Sequence, residues 1–259
     1  MKSTRWVVFG LLLPMLALAI GVSANSPDET GGGSTSEPRP SLNALKRGYL
    51  ATEQGHYEEA YTHYQSALDS ASTRELRFQA YLGLGSSSAA LGRLDEARKH
   101  LEAALAIKPN NAETLFSLGL VAKQEGQLQE AASLFANAAV RDPTLGEAMV
   151  ELGVVYELLD RHEEAAEACW RAVSLIPDDE GALLCLGVAR YHLGLYEGAA
   201  QAFEAVIEQN PNHPRALYSL GLSKLYLEDL EGAMTQYRAL KPLDPALARD
   251  LLTRINPPE

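Results

Sequence analysis

The chain has 259 residues, 22 Lys and Arg against 34 Asp and Glu, a net charge of −12 at pH 7, and 46% hydrophobic residues. That balance argues against a nucleic-acid partner, which needs clustered basic side chains to neutralise phosphates, and favours solubility and basic partners. Two cysteines and six histidines, none of the latter at the i, i+4 spacing of a helical metal site, give no reason to expect a metal or cofactor.

Residues Met1–Ala24 read as a secretory signal. Lys2 and Arg5 precede an apolar run from Trp6 to Ile20, and Val22-Ser23-Ala24 offers small residues for cleavage. A retained membrane anchor is the rival reading, but Pro14 interrupts the run and it is short for a span of about 20 residues. Cleavage removes only basic charge and takes the net from −12 to −14. Residues 25–40 carry Gly31-Gly32-Gly33, several Ser and Thr and no apolar periodicity, and read as a disordered linker. The expected location is outside the cytosol, periplasmic or secreted, with a membrane contact only if the signal stays as an anchor.

From Ser41 to Pro245 the chain repeats six times, in segments 41–74, 78–111, 112–145, 146–179, 180–213 and 214–245. The third is clearest: Leu115, Leu118, Gly119 and Ala122 precede Gly126, Leu128, Ala131, Phe135, Ala138 and Pro143. The same slots hold Leu152, Gly153, Asp160, Ala165, Cys169 and Pro177 in the fourth, and Leu186, Gly187, Gly194, Ala199, Phe203 and Pro211 in the fifth. The first is the poorest, with Arg47 in a leucine slot, Ser72 in the proline slot, and three extra residues in the Asp69 to Arg77 connection.

The apolar spacing implies two amphipathic helices per repeat. Gly55, Gly92, Gly126 and Gly194 mark the turn between them, with Asp160 and Glu228 standing in the fourth and sixth. Gly119 and its equivalents lie inside the first helix, where the expected role is close approach to the small Ala131 slot of the second. The closing prolines cannot continue a helix. Residues 246–259 supply a capping helix and tail, with Leu247, Leu251 and Ile255 along one stripe.

This pattern resembles the tetratricopeptide repeat over about four fifths of the chain. The resemblance implies an all-α, right-handed superhelical solenoid of six helical hairpins and a C-terminal capping helix, working as a non-enzymatic scaffold for protein interaction. It further implies that the first helices line a concave groove that binds a polypeptide segment. Carried onto this register, the outward slots hold Leu82, Phe116, Leu120, Lys123, Val150, Val154 and Glu157, then Leu184, Val188, Tyr191, His192, Tyr218, Leu222 and Tyr226. Tyrosines combine apolar area with a hydroxyl, as recognition hot spots do. Glu113, Glu147 and Glu157 add negative charge, so the expected ligand is a polypeptide with apolar anchors and basic residues.

Catalysis is not expected. The glycines sit in turns and helix contacts rather than a phosphate loop, and Glu58-Glu59 and Glu163-Glu164 are adjacent pairs that diverge around a helix. A glycan or small-molecule binding module, and a positioning subunit of a separate enzyme, are the alternatives. Cys169 and Cys185 fall on adjacent helices and either form a disulfide or are two small buried hydrophobes, the second being the reading preferred from sequence.

Overall fold

The structure is a computed structural model, and it describes residues 39–257. The signal reading of Met1–Ala24 and nearly all of the linker lie outside the described residues. Those residues are all-α, with thirteen helices that form two compact units.

The first unit, ending at Arg141, holds three hairpins. They are α1 (Arg39–Glu53) with α2 (Tyr57–Asp69), α3 (Arg74–Ala90) with α4 (Leu94–Ile107), and α5 (Ala112–Gln124) with α6 (Leu128–Arg141). The second unit, from Asp142, pairs α7 (Gly146–Leu158) with α8 (His162–Leu175), α9 (Glu180–His192) with α10 (Tyr196–Gln209), and α11 (Pro214–Tyr226) with α12 (Leu230–Leu240). The closing helix α13 (Pro245–Ile255) packs on α11 and α12.

All six hairpin turns place one residue in the left-handed region. Four are glycines, and Asp160 at φ 56° and Glu228 at φ 60° take the same conformation with a side chain attached. Glu228 therefore preserves the turn although its residue type obscures it in the sequence. The backbone bonds match: Arg161 N–H donates to the Tyr156 carbonyl at 2.9 Å and Asp229 N–H to that of Lys224 at 2.9 Å.

Two boundaries differ from the sequence reading. Helix α1 starts at Arg39, two residues inside the assigned linker. The extra residues before the second repeat become helix: α3 has 17 residues where α5, α7, α9 and α11 have 13. Thr73 caps this extension by accepting from Leu76 N–H at 3.1 Å. Arg74 then ties it to the end of α4, donating to the Ile107 carbonyl at 2.7 Å.

The prolines after α4, α6, α8 and α10 lie in the turns that follow those helices. Pro245 instead opens α13 at its first helical position, where the missing N–H is not needed. Asp244 accepts from Ala246 and Leu247 N–H at 3.0 Å each and caps that helix. Leu251 is fully buried there, with Leu247 and Ile255 packed on the same cluster.

The interior glycines allow the expected close approach of the second helix, and at Gly119 and Gly187 the nearest side chain is the large one in that helix's next slot. A Cβ added at Gly119 would lie 2.6 Å from Cε1 of Phe135, and one at Gly187 would lie 2.6 Å from Cε1 of Phe203. At these two positions the absent side chain leaves room for the aromatic ring of the second helix. The alanine slot is also close in two other hairpins, where a Cβ at Gly85 would lie 3.4 Å from the Ala97 carbonyl oxygen and one at Gly153 3.3 Å from that of Ala165. In the fourth hairpin the space goes to sulfur, since a Cβ at Gly153 would strike Sγ of both Cys169 and Cys185.

Those two cysteines are bonded, with Cα atoms 5.6 Å apart, so α8 is linked to α9. This replaces the preferred reading of two unbonded hydrophobes. Both sites are buried, as that reading required, but the slots also bring the sulfurs together.

Candidate functional site

The expected stripe on the first helices separates into core and surface. Leu82, Phe116, Leu120 and Leu222 are buried, at 2%, 3%, 1% and 9% exposure, so they are core residues and not groove contacts. In the first unit the cause is visible on α5, where every residue from Thr114 to Ala122 is buried and no outward apolar face is left. Phe116 packs against Phe135 at 5.5 Å between ring centroids. Lys123 lies half-buried in the last turn of α5.

In the second unit Leu184 and Val188 pack partly buried against the Ala199–Phe203–Leu220 cluster, and Val154 against the Cys169–Cys185 pair. Val150 is half-buried, and its carbonyl oxygen lies 3.7 Å from the disulfide sulfur of Cys185. Tyr218 is claimed by the closing helix. Its hydroxyl donates to Asp250, which also accepts from Nε of Arg254 at 2.8 Å. Burial and this carboxylate raise the Tyr218 pKa.

Four of the expected residues, Glu157, Tyr191, His192 and Tyr226, come together with two that the sequence reading left out, His162 and Tyr196. All six sit where first helices end and second helices begin, along the hairpin-turn edge of the second unit. Tyr196 at the start of α10 stacks on Tyr226 at the end of α11, with centroids 4.7 Å apart and planes 10° from parallel. Tyr191 meets both rings edge-on, at 5.6 Å from Tyr196 and 5.7 Å from Tyr226. Burial, followed by the Tyr226 hydroxyl, holds the Tyr191 phenol well above its ordinary range, so the group stays neutral. Tyr226 remains 53% exposed, and Leu195 and Leu230 beside these turns are 55% exposed each.

The row continues into imidazoles. His192 lies 5.8 Å from Tyr191 and 4.7 Å from His162 between ring centroids. Glu157, with a side chain only 12% exposed, faces both: Oε2 is 2.6 Å from Nδ1 of His192 and 3.2 Å from Nδ1 of His162. One ligating atom from each of these three residues lies within 4.8 Å of the others. A search for i, i+4 histidines misses this group because its members come from three helices. Asp160 in the left-handed turn is what carries the chain from Glu157 back to His162.

The charge expected at Glu113 is weakened. Burial pushes its carboxyl up to about 7, against only partial relief from Lys108, so it is not a fixed anion near neutral pH.

No helix of the described residues is long and apolar enough to cross a membrane. The tetratricopeptide repeat model matches the chain over residues 45–112, 116–180 and 182–248. Among solved structures the chain is similar to MamA, with a TM-score of 0.60 and 26% identity over 67% of this chain and 94% of that one. It is similar to YrrB, described as a tetratricopeptide protein with an unusual peptide-binding site, at TM-score 0.63 and 24% identity over 73% and 97%. It is also similar to pilF of Pseudomonas aeruginosa, at TM-score 0.72 and 19% identity over 82% and 96%. The last two likenesses concern the fold alone. No curated protein sequence matches the chain.

Proposed function

The chain belongs to the tetratricopeptide repeat family, whose hairpin scaffolds suit protein–protein interaction, and from that premise we propose that it captures a polypeptide segment at the aromatic edge of its second unit. The observation that carries this reading is the Tyr191–Tyr196–Tyr226 set. Three tyrosines locked edge-to-face and stacked offer rigid apolar area with hydroxyls at low entropic cost. Over half of Tyr226 faces solvent, together with Leu195 and Leu230, in a position that a lone surface side chain would not need neighbours to hold.

The segment it fits has apolar anchors and one or more basic residues. Tyrosine faces attract ammonium and guanidinium groups, and the whole chain is acidic. Work outside the cytosol is supported by the signal-like residues 1–24 and by the Cys169–Cys185 bond, which oxidising compartments preserve.

Panning the full chain against a displayed random-peptide library tests this. Peptides that pair Lys or Arg with apolar residues should be enriched, and Tyr196→Ala with Tyr226→Ala should abolish the enrichment. Equal enrichment by that folded double variant, or selection of acidic peptides, would overturn the reading.

A further inference from the structure

We propose that Glu157, His162 and His192 form a binding site for a first-row divalent cation of the zinc class, held by one carboxylate oxygen and two imidazole nitrogens. Such a set, with three protein ligands, leaves one position open for water or a ligand from a partner.

The geometry needs little change to accept the ion. Tetrahedral metal bonds of roughly 2.0 to 2.1 Å place neighbouring donor atoms about 3.3 Å apart. Here the carboxylate oxygen is 2.6 Å from one Nδ1 and 3.2 Å from the other, and the three donors fit within 4.8 Å. The cation would take the space of the hydrogens now shared between Oε2 and the two Nδ1 atoms. Each imidazole then binds through Nδ1 in its neutral form, with its hydrogen on Nε2.

The surroundings favour a cation. Glu157 and His192 lie in the last turns of α7 and α9, at the helix ends that carry partial negative charge. His162 opens α8, where the field is of opposite sign, but it is a neutral ligand there. The neighbouring Arg161 spends its charge elsewhere, with Nη2 2.6 Å from Glu164 and its guanidinium 4.4 Å above the Tyr156 ring. The donor set comes from rigid helix ends, and the carboxylate is already nearly withdrawn from water. Nitrogen and oxygen donors with no thiolate select zinc, copper, nickel or cobalt over magnesium and calcium.

The histidine pair around Glu59 is a natural control. His56 and His63 approach that carboxylate at 3.6 and 3.5 Å, but Glu59 is 60% exposed and its contacts belong to surface ion pairs.

Full chain without a histidine tag should bind one equivalent of Zn2+ by calorimetry. Co2+ should give the visible absorption of a four-coordinate nitrogen and oxygen site, and Zn2+ should displace it. His162→Gln with His192→Gln should weaken Zn2+ binding at least about tenfold, whereas His56→Gln with His63→Gln should leave it unchanged. In the unaltered protein, the imidazole nitrogen resonances of His162 and His192 should be the ones that shift on Zn2+ addition, which keeps the test valid if the variant fails to fold. Undiminished affinity in the folded His162/His192 variant, no Zn2+ binding by the unaltered chain, or shifts confined to other histidines would overturn the proposal.

Discussion

Tyr196 lies flat against Tyr226, 30 residues away in sequence and on the next hairpin, with ring centroids 4.7 Å apart. The stack joins α10 to α11 at the exposed edge and fixes where the free face of Tyr226 points. Truncating either ring therefore removes both a contact surface and the support of its neighbour. Tyr226→Ala should weaken capture of a basic, apolar peptide about tenfold or more, while circular dichroism and the urea midpoint change little. Tyr218→Phe, which only releases the Asp250 bond, should leave capture intact in the same assay.

Glu113 gives the first unit a pH signature. Its folded carboxyl keeps the proton up to about 7, whereas the ordinary value is 4.5. Between those values the folded state binds more protons than the unfolded one, so this group's contribution falls as pH rises through about 7. Glu113→Gln should stabilise the protein by about 1 to 3 kcal/mol at pH 8 and change little at pH 4, as read from urea unfolding at each pH.

Glu228 holds φ 60° with a full side chain. A left-handed residue other than glycine costs about 1 to 2 kcal/mol, offset in part by the greater chain entropy of glycine when unfolded. Glu228→Gly should raise stability by roughly 0.5 to 1 kcal/mol. Gly126→Ala, the reverse change at the equivalent turn with φ 78°, should lower it by a similar amount.

Gly119 tests the aromatic slot. A methyl group there must displace the Phe135 ring, which is fully buried, so Gly119→Ala should cost about 1 to 3 kcal/mol. Gly119→Ala combined with Phe135→Leu should recover part of that loss in the same urea titration, because the ring is the obstacle.

The Cys169–Cys185 bond closes a loop with a sequence separation of 16. Loops of that size contribute about 3 kcal/mol by restricting the unfolded chain. Dithiothreitol should lower the urea midpoint of the unaltered protein accordingly. It should have no effect on Cys169→Ser with Cys185→Ser.

The hairpins were legible because their determinants are local and recur. Leucine and alanine spacing sets the helices, and a left-handed residue sets each turn even where Glu228 replaces glycine. The binding face was less legible, because helical spacing shows which residues share a face and not how many neighbours cover it. Phe116 and Leu120 look outward on a helical wheel, yet α5 is covered on nearly every side. His162 and Tyr196 were missed for a related reason. They open second helices, so a register built on first helices passes over them, and only the turn geometry brings them beside His192 and Tyr226. The cysteine slots leave both a bonded and an unbonded pair open, and buried small hydrophobes are the preferred reading until the approach of α8 to α9 is known.

The bridge between α8 and α9 also changes how the chain responds to force. A hairpin array pulled from its ends should yield one hairpin after another, each adding its full contour to the extension. Here the 16-residue step from Cys169 to Cys185 is short-circuited, which withholds about 55 Å of contour at roughly 3.5 Å per residue. The tail of the fourth hairpin and the head of the fifth therefore cannot be drawn out in line. A protease or translocase that threads the chain meets a double strand at that point, in the same unit that carries the tyrosine edge.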